Sequence, residues 1–185
     1  MSTSKAIGVV GLLDDREIRR LATEEAMIHP YNSKSGNSYG YDLTLADEFL
    51  VPRLDTEQQV VDPFNPPEFS QVRCESFIIV PPGSFVLGRS VEWVKMPRDV
   101  MGICLGRSTY ARAAVITNVT PLEPGWEGRV TMEITNSGRL PVKVHVGRGI
   151  VQVVFFRGER PPMLDYVQGG GRYHMQEGVQ QGRPE

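Results

Sequence analysis

The chain has 185 residues, 40% of them hydrophobic and 23% charged, which suits one soluble globular domain with its own core and excludes fibrous and disordered classes. A formal net charge of -2 gives no general field for a polyanion, so long DNA or RNA is not an expected partner and any anionic ligand needs a local cluster of donors. Cys74 and Cys104 form neither a disulfide framework nor a C-x-x-C zinc pair, and a reducing cytoplasm is the expected location.

The apolar run at residues 6–13 is cut off by Asp14, Asp15, Arg16 and Glu17 with no small-residue cleavage site, unlike a signal peptide. No other stretch approaches the ~20 apolar residues of a membrane span, so no membrane association is expected. Residues 14–27 carry the clearest helix: Asp14 or Asp15 can cap it, and Ile18, Leu21 and Ala22 follow helical spacing. After His29 and Pro30 the chain turns to Asn, Ser, Gly and Tyr, a loop composition that ends at the alternating strand 41–45.

From there prolines and glycines divide the chain into short apolar runs, with strands expected at 77–80, 84–87, 100–105, 114–119, 130–134, 142–146 and 150–156. That pattern predicts a mainly β jelly-roll or sandwich in a single domain over 1–185. The tail from about 161 to 185, with Gly169, Gly170 and Gly171 as a hinge, reads as a mobile segment able to order over a ligand.

Chemistry concentrates in a few places. Residues 106–112 combine a glycine entry with Arg107, Ser108, Thr109, Tyr110, Ala111 and Arg112; if Ser108 or Thr109 caps a helical turn, the segment suits an oligophosphate, and otherwise it is a capped surface loop. The strand 129–135 alternates strictly, with Val130, Met132 and Ile134 on one face and Arg129, Thr131, Glu133 and Thr135 on the other. Glu133 thus stands mid-face, either solvated or lining a site, where a carboxylate partly withdrawn from water serves general acid–base work. Gln152 is a polar intruder in a run apolar on both faces; its amide pairs with backbone or with a ligand's polar edge. His29, His145 and His174 are scattered, and the zinc-deaminase signature H-x-E with P-C-x-x-C is absent, so no zinc is expected.

In combination, Ser38-Tyr39-Gly40-Tyr41-Asp42-Leu43, Pro97-Arg98-Asp99-Val100, residues 106–112, the run 118–128 (N-V-T-P-L-E-P-G-W-E-G), Thr131-Met132-Glu133 and Gly169-Gly170-Gly171-Arg172-Tyr173 resemble the dCTP deaminase family, a branch of the dUTPase superfamily. The likeness runs from the first helix to the Gln-rich end. It implies a dUTPase-like jelly-roll subunit, a homotrimer with active sites at subunit interfaces, dCTP as substrate, dTTP as a feedback inhibitor, and Mg²⁺ carried by the nucleotide phosphates. It implies further that Arg107, Ser108, Thr109, Tyr110, Ala111 and Arg112 cradle the triphosphate, that Thr131, Met132 and Glu133 face cytosine and its attacking water, and that Gln152, Tyr166 and Gln176 complete the site. Arg172 becomes a phosphate candidate, placed where the family often has Lys. Glu123 stands where the dUTPase branch has aspartate; the longer side chain points to a deoxyribose contact rather than to dUTP cleavage. Glu133, Ser108 and Arg112 are the implied catalytic residues, deaminating without zinc. A bifunctional enzyme that continues to dUMP, a plain dUTPase and a nucleotide-sensing trimer without turnover are the alternatives.

Overall fold

A computed structural model describes residues 10–53 and 60–183; the first half of the apolar run at 6–13 lies outside them, as do residues 184–185 of the tail. The strands are β1 (Gly11–Leu12), β2 (Ile28–His29), β3 (Gly36–Asn37), β4 (Gly40–Pro52), β5 (Phe69–Arg73), β6 (Phe77–Val80), β7 (Phe85–Lys95), β8 (Val100–Gly106), β9 (Val115–Asn118), β10 (Glu127–Asn136), β11 (Val142–His145) and β12 (Gly149–Arg157), with helices α1 (Asp15–Glu24) and α2 (Ser108–Ala111). The protein is mainly β, as the sequence predicts. No helix among the described residues is long and apolar enough to cross a membrane.

The sheet curls because β4 belongs to both of its halves. Tyr41, Asp42, Leu43 and Thr44 pair with β12, whereas Leu45, Phe49 and Leu50 pair with β7, and the far end pairs with β5. The central path runs β1-β12-β4-β7-β10-β9, and β6 with β11 forms a separate two-stranded sheet. Inward residues of both halves, among them Tyr41, Leu43, Phe49, Met132, Ile134, Val153 and Phe155, meet in one core and are fully buried.

Several strands outrun their sequence signals. The expected strand 41–45 continues to Pro52 because Asp47 and Glu48, which break the apolar alternation, are neutralised by Arg73 and Arg89. In β7, expected only at 84–87, the interior polar residues Ser90 and Glu92 likewise find partners. The helix ends at Glu24 rather than Met27: Ala26 takes a left-handed φ of 56°, Met27 turns into the core, and Ile28 pairs with Val94. β12 is apolar on both faces but evenly buried on only one: Val151, Val153 and Phe155 are buried, while on the other face Val154 is half-buried and Phe156 stays 38% exposed. His145 lies on an outer face beside the Phe77 ring.

Asp14 caps α1 by accepting from the Glu17 N–H at 3.0 Å. Glu17 in turn ties the helix to the sheet: Arg20 lies 2.8 Å from its carboxylate and Arg157, buried at the end of β12, 2.5 Å. Arg20, and then Arg157, outweigh burial and hold the Glu17 carboxyl at about 2 against an ordinary 4.5. A group whose value falls on folding stabilises the fold above its unfolded value and loses that contribution as pH falls through its folded one. Thermal stability is therefore expected to drop between about pH 4.5 and pH 2, with the drop reduced in Glu17→Gln; melting curves of both proteins across that range check this, and superimposable pH profiles would contradict it.

Candidate functional site

β10 presents the candidate site, and an irregularity aims it. The register against β7 shifts between Arg129 and Thr131, where the Val130 N–H donates to the buried Ser90 hydroxyl at 2.8 Å. Ser90 donates onward to the Glu92 carbonyl at 2.6 Å. Such a shift re-aims the side chains that follow it. At the far end, buried Asn136 donates to the Val80 and Leu140 carbonyls and anchors the strand. Between these fixed points Val130, Met132 and Ile134 point into the core, and Thr131, Glu133 and Thr135 stand half-buried on the other face.

That face borders a cavity of about 240 Å³ lined by Thr131 and Glu133, by Asn118 at the end of β9 and residues 119–122 after it, and by Tyr166, Tyr173, Gln176 and Gln180 of the tail. Glu133 is the one carboxylate among its described lining residues. The Thr135 hydroxyl donates to Glu133 Oε1 at 2.9 Å.

The tail is packed against the rim rather than extended away from it. Tyr166 N–H donates to the Pro124 carbonyl, and the Tyr166 hydroxyl accepts from the Tyr173 N–H at 2.8 Å. Trp126 Nε1 donates to the Tyr173 carbonyl at 2.8 Å. Asp165 lies 2.8 Å from Arg98, and the Gln168 N–H, together with Arg98, holds its carboxyl below the usual value. Gly171 serves close packing here, since a Cβ on it would fall 2.2 Å from the Tyr166 ring, and the N–H groups of Gly169, Gly170 and Gly171 all close local turns.

Of the residues singled out from the sequence, the structure brings Thr131, Glu133, Tyr166 and Gln176 together. Met132 does not join them, because strand alternation sends its side chain into the core. Gln152 on β12 pairs opposite Asp42 and Leu105 and does not line the cavity. Glu123 and Arg172 are exposed near the rim without lining it.

Residues 107–112 form a separate cluster. The helical turn begins one residue earlier than the sequence suggests: extended Arg107 takes the cap position with no side-chain cap bond, so the hydroxyls of Ser108 and Thr109 are not spent on capping. Ser108, Thr109, Ala111 and Arg112 are exposed, and burial pushes the Tyr110 phenol up. Arg107 is partly committed, 3.0 Å from Asp42 and donating to the Gly149 carbonyl at 2.9 Å. None of this cluster lines the cavity.

Sequence reasoning missed Asn118, Tyr173, Gln180 and Thr135. Asn118 and Tyr173 stood inside quoted motifs, and Thr135 shares the strand face of Glu133, so position relative to Glu133 was the available signal. Gln180 carried none, because a polar tail residue acquires a role only when the chain folds back.

A family model described as dCTP deaminase-like matches residues 12–158. A dCTP deaminase of Herpetosiphon aurantiacus is 44% identical over 176 residues, covering 89% of this chain and 95% of the relative. One from Chromobacterium violaceum is 40% identical over 191 aligned residues, covering 95% of this chain and 100% of the relative. Among solved structures, the 2'-deoxycytidine 5'-triphosphate deaminase from Agrobacterium tumefaciens superposes with a TM-score of 0.66 at 20% identity, covering 80% of this chain and 48% of that one, a likeness of fold.

Proposed function

Because this chain belongs to the dCTP deaminase family, we infer that it hydrolyses dCTP to dUTP and ammonia with Glu133 as the proton-transferring residue. The reaction belongs to pyrimidine deoxyribonucleotide metabolism and supplies dUTP for dUMP synthesis. The observation that carries the assignment of Glu133 is its place as the one carboxylate among the described residues lining the cavity, half-buried and already oriented by Thr135.

Water must give up one proton to ring nitrogen 3 as its oxygen bonds to carbon 4 of cytosine, and the hydroxyl so formed must give its proton to the amino group, which leaves as ammonia as the carbon 4 carbonyl forms. A single carboxylate within reach of all these atoms can move each proton in turn. Thr131 and Gln176 border the same space and offer hydroxyl and amide groups to the base. Tyr166 and Tyr173 supply ring surface from the tail. Deamination by this route needs no zinc. The cavity's donor set also suits a Mg²⁺ carried by the triphosphate, since Glu133 is occupied by proton transfer and hard cations favour phosphate oxygens.

The phosphates require a second surface. A volume of about 240 Å³ is below the roughly 300–1,000 Å³ of complete ligand pockets, and residues 107–112 are exposed outside it. The proposal is a homotrimer in which a neighbouring copy brings Arg107, Ser108, Thr109, Tyr110, Ala111 and Arg112 to the cavity mouth, where Ser108 and Arg112 also hold the water and Glu133. The exposed apolar residues Leu12, Leu105, Ile116 and Phe156 fit burial between copies. Glu123 would meet the deoxyribose hydroxyl, Arg172 the phosphates, and Gln152 a site completed between subunits.

The test is incubation with dCTP after exhaustive zinc chelation and Mg²⁺ repletion, with dUTP and dUMP resolved, on a preparation sized in solution. Full activity, dUTP as product and the mass of a trimer are expected. Activity that returns only with Zn²⁺ would sink the mechanism, dUMP as the main product would favour the bifunctional alternative, binding without turnover would indicate a sensor, and a monomer would contradict the shared site.

Thr135→Val, which removes the donor to Glu133 Oε1 while keeping strand shape, is expected to lower kcat about 10-fold with KM nearly unchanged, in keeping with a hydrogen bond to a charged group. Thr135→Ser should recover most of the loss; equal kcat in parent and Val variant would show that the contact is incidental.

A further inference from the structure

Glu48 is a charged residue buried outside the cavity, 7% exposed in the middle of β4. Its carboxylate accepts from Arg89 Nε of β7 at 2.7 Å and from Gln71 Nε2 of β5 at 3.0 Å, with Arg73 3.9 Å away. The Val179 N–H lies close enough to favour its charged form. Burial works against the charged form, yet Arg89 and the Val179 N–H more than offset it and hold the carboxyl below its ordinary value. The close approach of residues 178–179 joins β4 to the tail. The segment beside it is glycine for a steric reason: a Cβ on Gly178 would sit 3.1 Å from Glu48 Oε1.

The contacts on either side of this point carry cavity residues. Met175 N–H donates to the Glu127 carbonyl, Arg129 N–H to the Gln176 carbonyl, and Gly128 bridges Gln176 in parallel, so the tail runs briefly as an added strand along β10. Gln180 N–H then donates to Thr131 Oγ1 at 3.2 Å. Gln176 and Gln180, both lining the cavity, thus flank the turn that Glu48 grips.

We propose that Glu48 is a positioning residue for nucleotide binding: a buried anionic latch that, gripping the tail at Gly178 and Val179, sets the register of Gln176 and Gln180 on the cavity wall. The latch acts on binding and not on proton transfer, because it touches neither Glu133 nor the cavity. It rests on the reading of that cavity as the dCTP site.

Two variants test it in the full-length protein. Glu48→Gln keeps the size and an acceptor for Val179 but removes the charge that faces Arg89. Gly178→Ala leaves the Glu48–Arg89–Gln71 cluster whole and pushes only the tail, so it remains informative if the first variant folds poorly. Backbone amide exchange over residues 175–183 without nucleotide is expected to accelerate about 10-fold in Gly178→Ala, and KM for dCTP to rise about 10-fold with kcat within about twofold. Exchange at parent values overturns the latch whatever the kinetics. Faster exchange with unchanged KM overturns instead the assignment of this cavity to dCTP, and a fall in kcat at constant KM overturns the positioning role.

Discussion

Glu133→Gln is expected to abolish dCTP turnover to within the background of the assay, a loss at or beyond about 10⁴-fold, while the protein still binds nucleotide. A general acid–base group is typically worth about 10²–10⁴-fold, and here one carboxylate serves the attacking water, the ring nitrogen and the leaving ammonia. The substitution preserves volume, the strand pattern of β10 and an oxygen able to accept from Thr135. What it removes is the basic oxygen, and no other carboxylate among the described lining residues can stand in for it. Affinity should move only a fewfold, because the phosphate-binding candidates at 107–112 lie outside the cavity and are untouched. Calorimetric dCTP binding measured beside turnover in one preparation decides the matter. A folded variant that deaminates within tenfold of the parent would mean that the base lies elsewhere.

Deleting the chain after Arg160 should leave a folded core and cost at least about 10²-fold in kcat/KM, the scale on which loss of substrate positioning is felt. The sheet ends at Arg157, so every strand and both helices survive the cut. The cut does remove Tyr166, Tyr173, Gln176 and Gln180, and with them one wall of the cavity. It also strips the acceptor from Trp126 Nε1 and opens the space beside Glu133 to bulk water. Some stability goes with the Arg98–Asp165 pair and the buried Val179, yet the main core at Phe49, Met132 and Phe155 is untouched. Circular dichroism and a thermal melt establish folding, and steady-state kinetics the loss. Unchanged kcat/KM would show that the segment contributes nothing to the site.

Local chemistry was legible in the sequence wherever a short-range rule governed it. The period-two alternation of 129–135 already separated Glu133 from Met132, because successive strand side chains must point to opposite faces. Asp14 declared the helix start, and the proline and glycine punctuation declared a mainly β chain. Runs with charges inside them were legible only in part. Asp47 and Glu48 ended the apparent strand at 45 because a lone charge argues against burial, and nothing local reveals that Arg73 and Arg89, far along the chain, neutralise them.

By itself, then, the sequence determined the fold class, the family and the candidate acid–base residue, since each follows from residue order over a few positions or from the order of motifs along the chain. Tertiary structure alone decided which candidates share a space. It brought Tyr166 and Gln176 back to β10, held Gln152 on a different strand from the cavity, and left 107–112 on an outer surface. The physical reason is that these outcomes depend on contacts between segments tens of residues apart, through a bulge closed by Ser90 and a tail paired to β10 at Gln176, and no local periodicity encodes which distant partner a polar group will find.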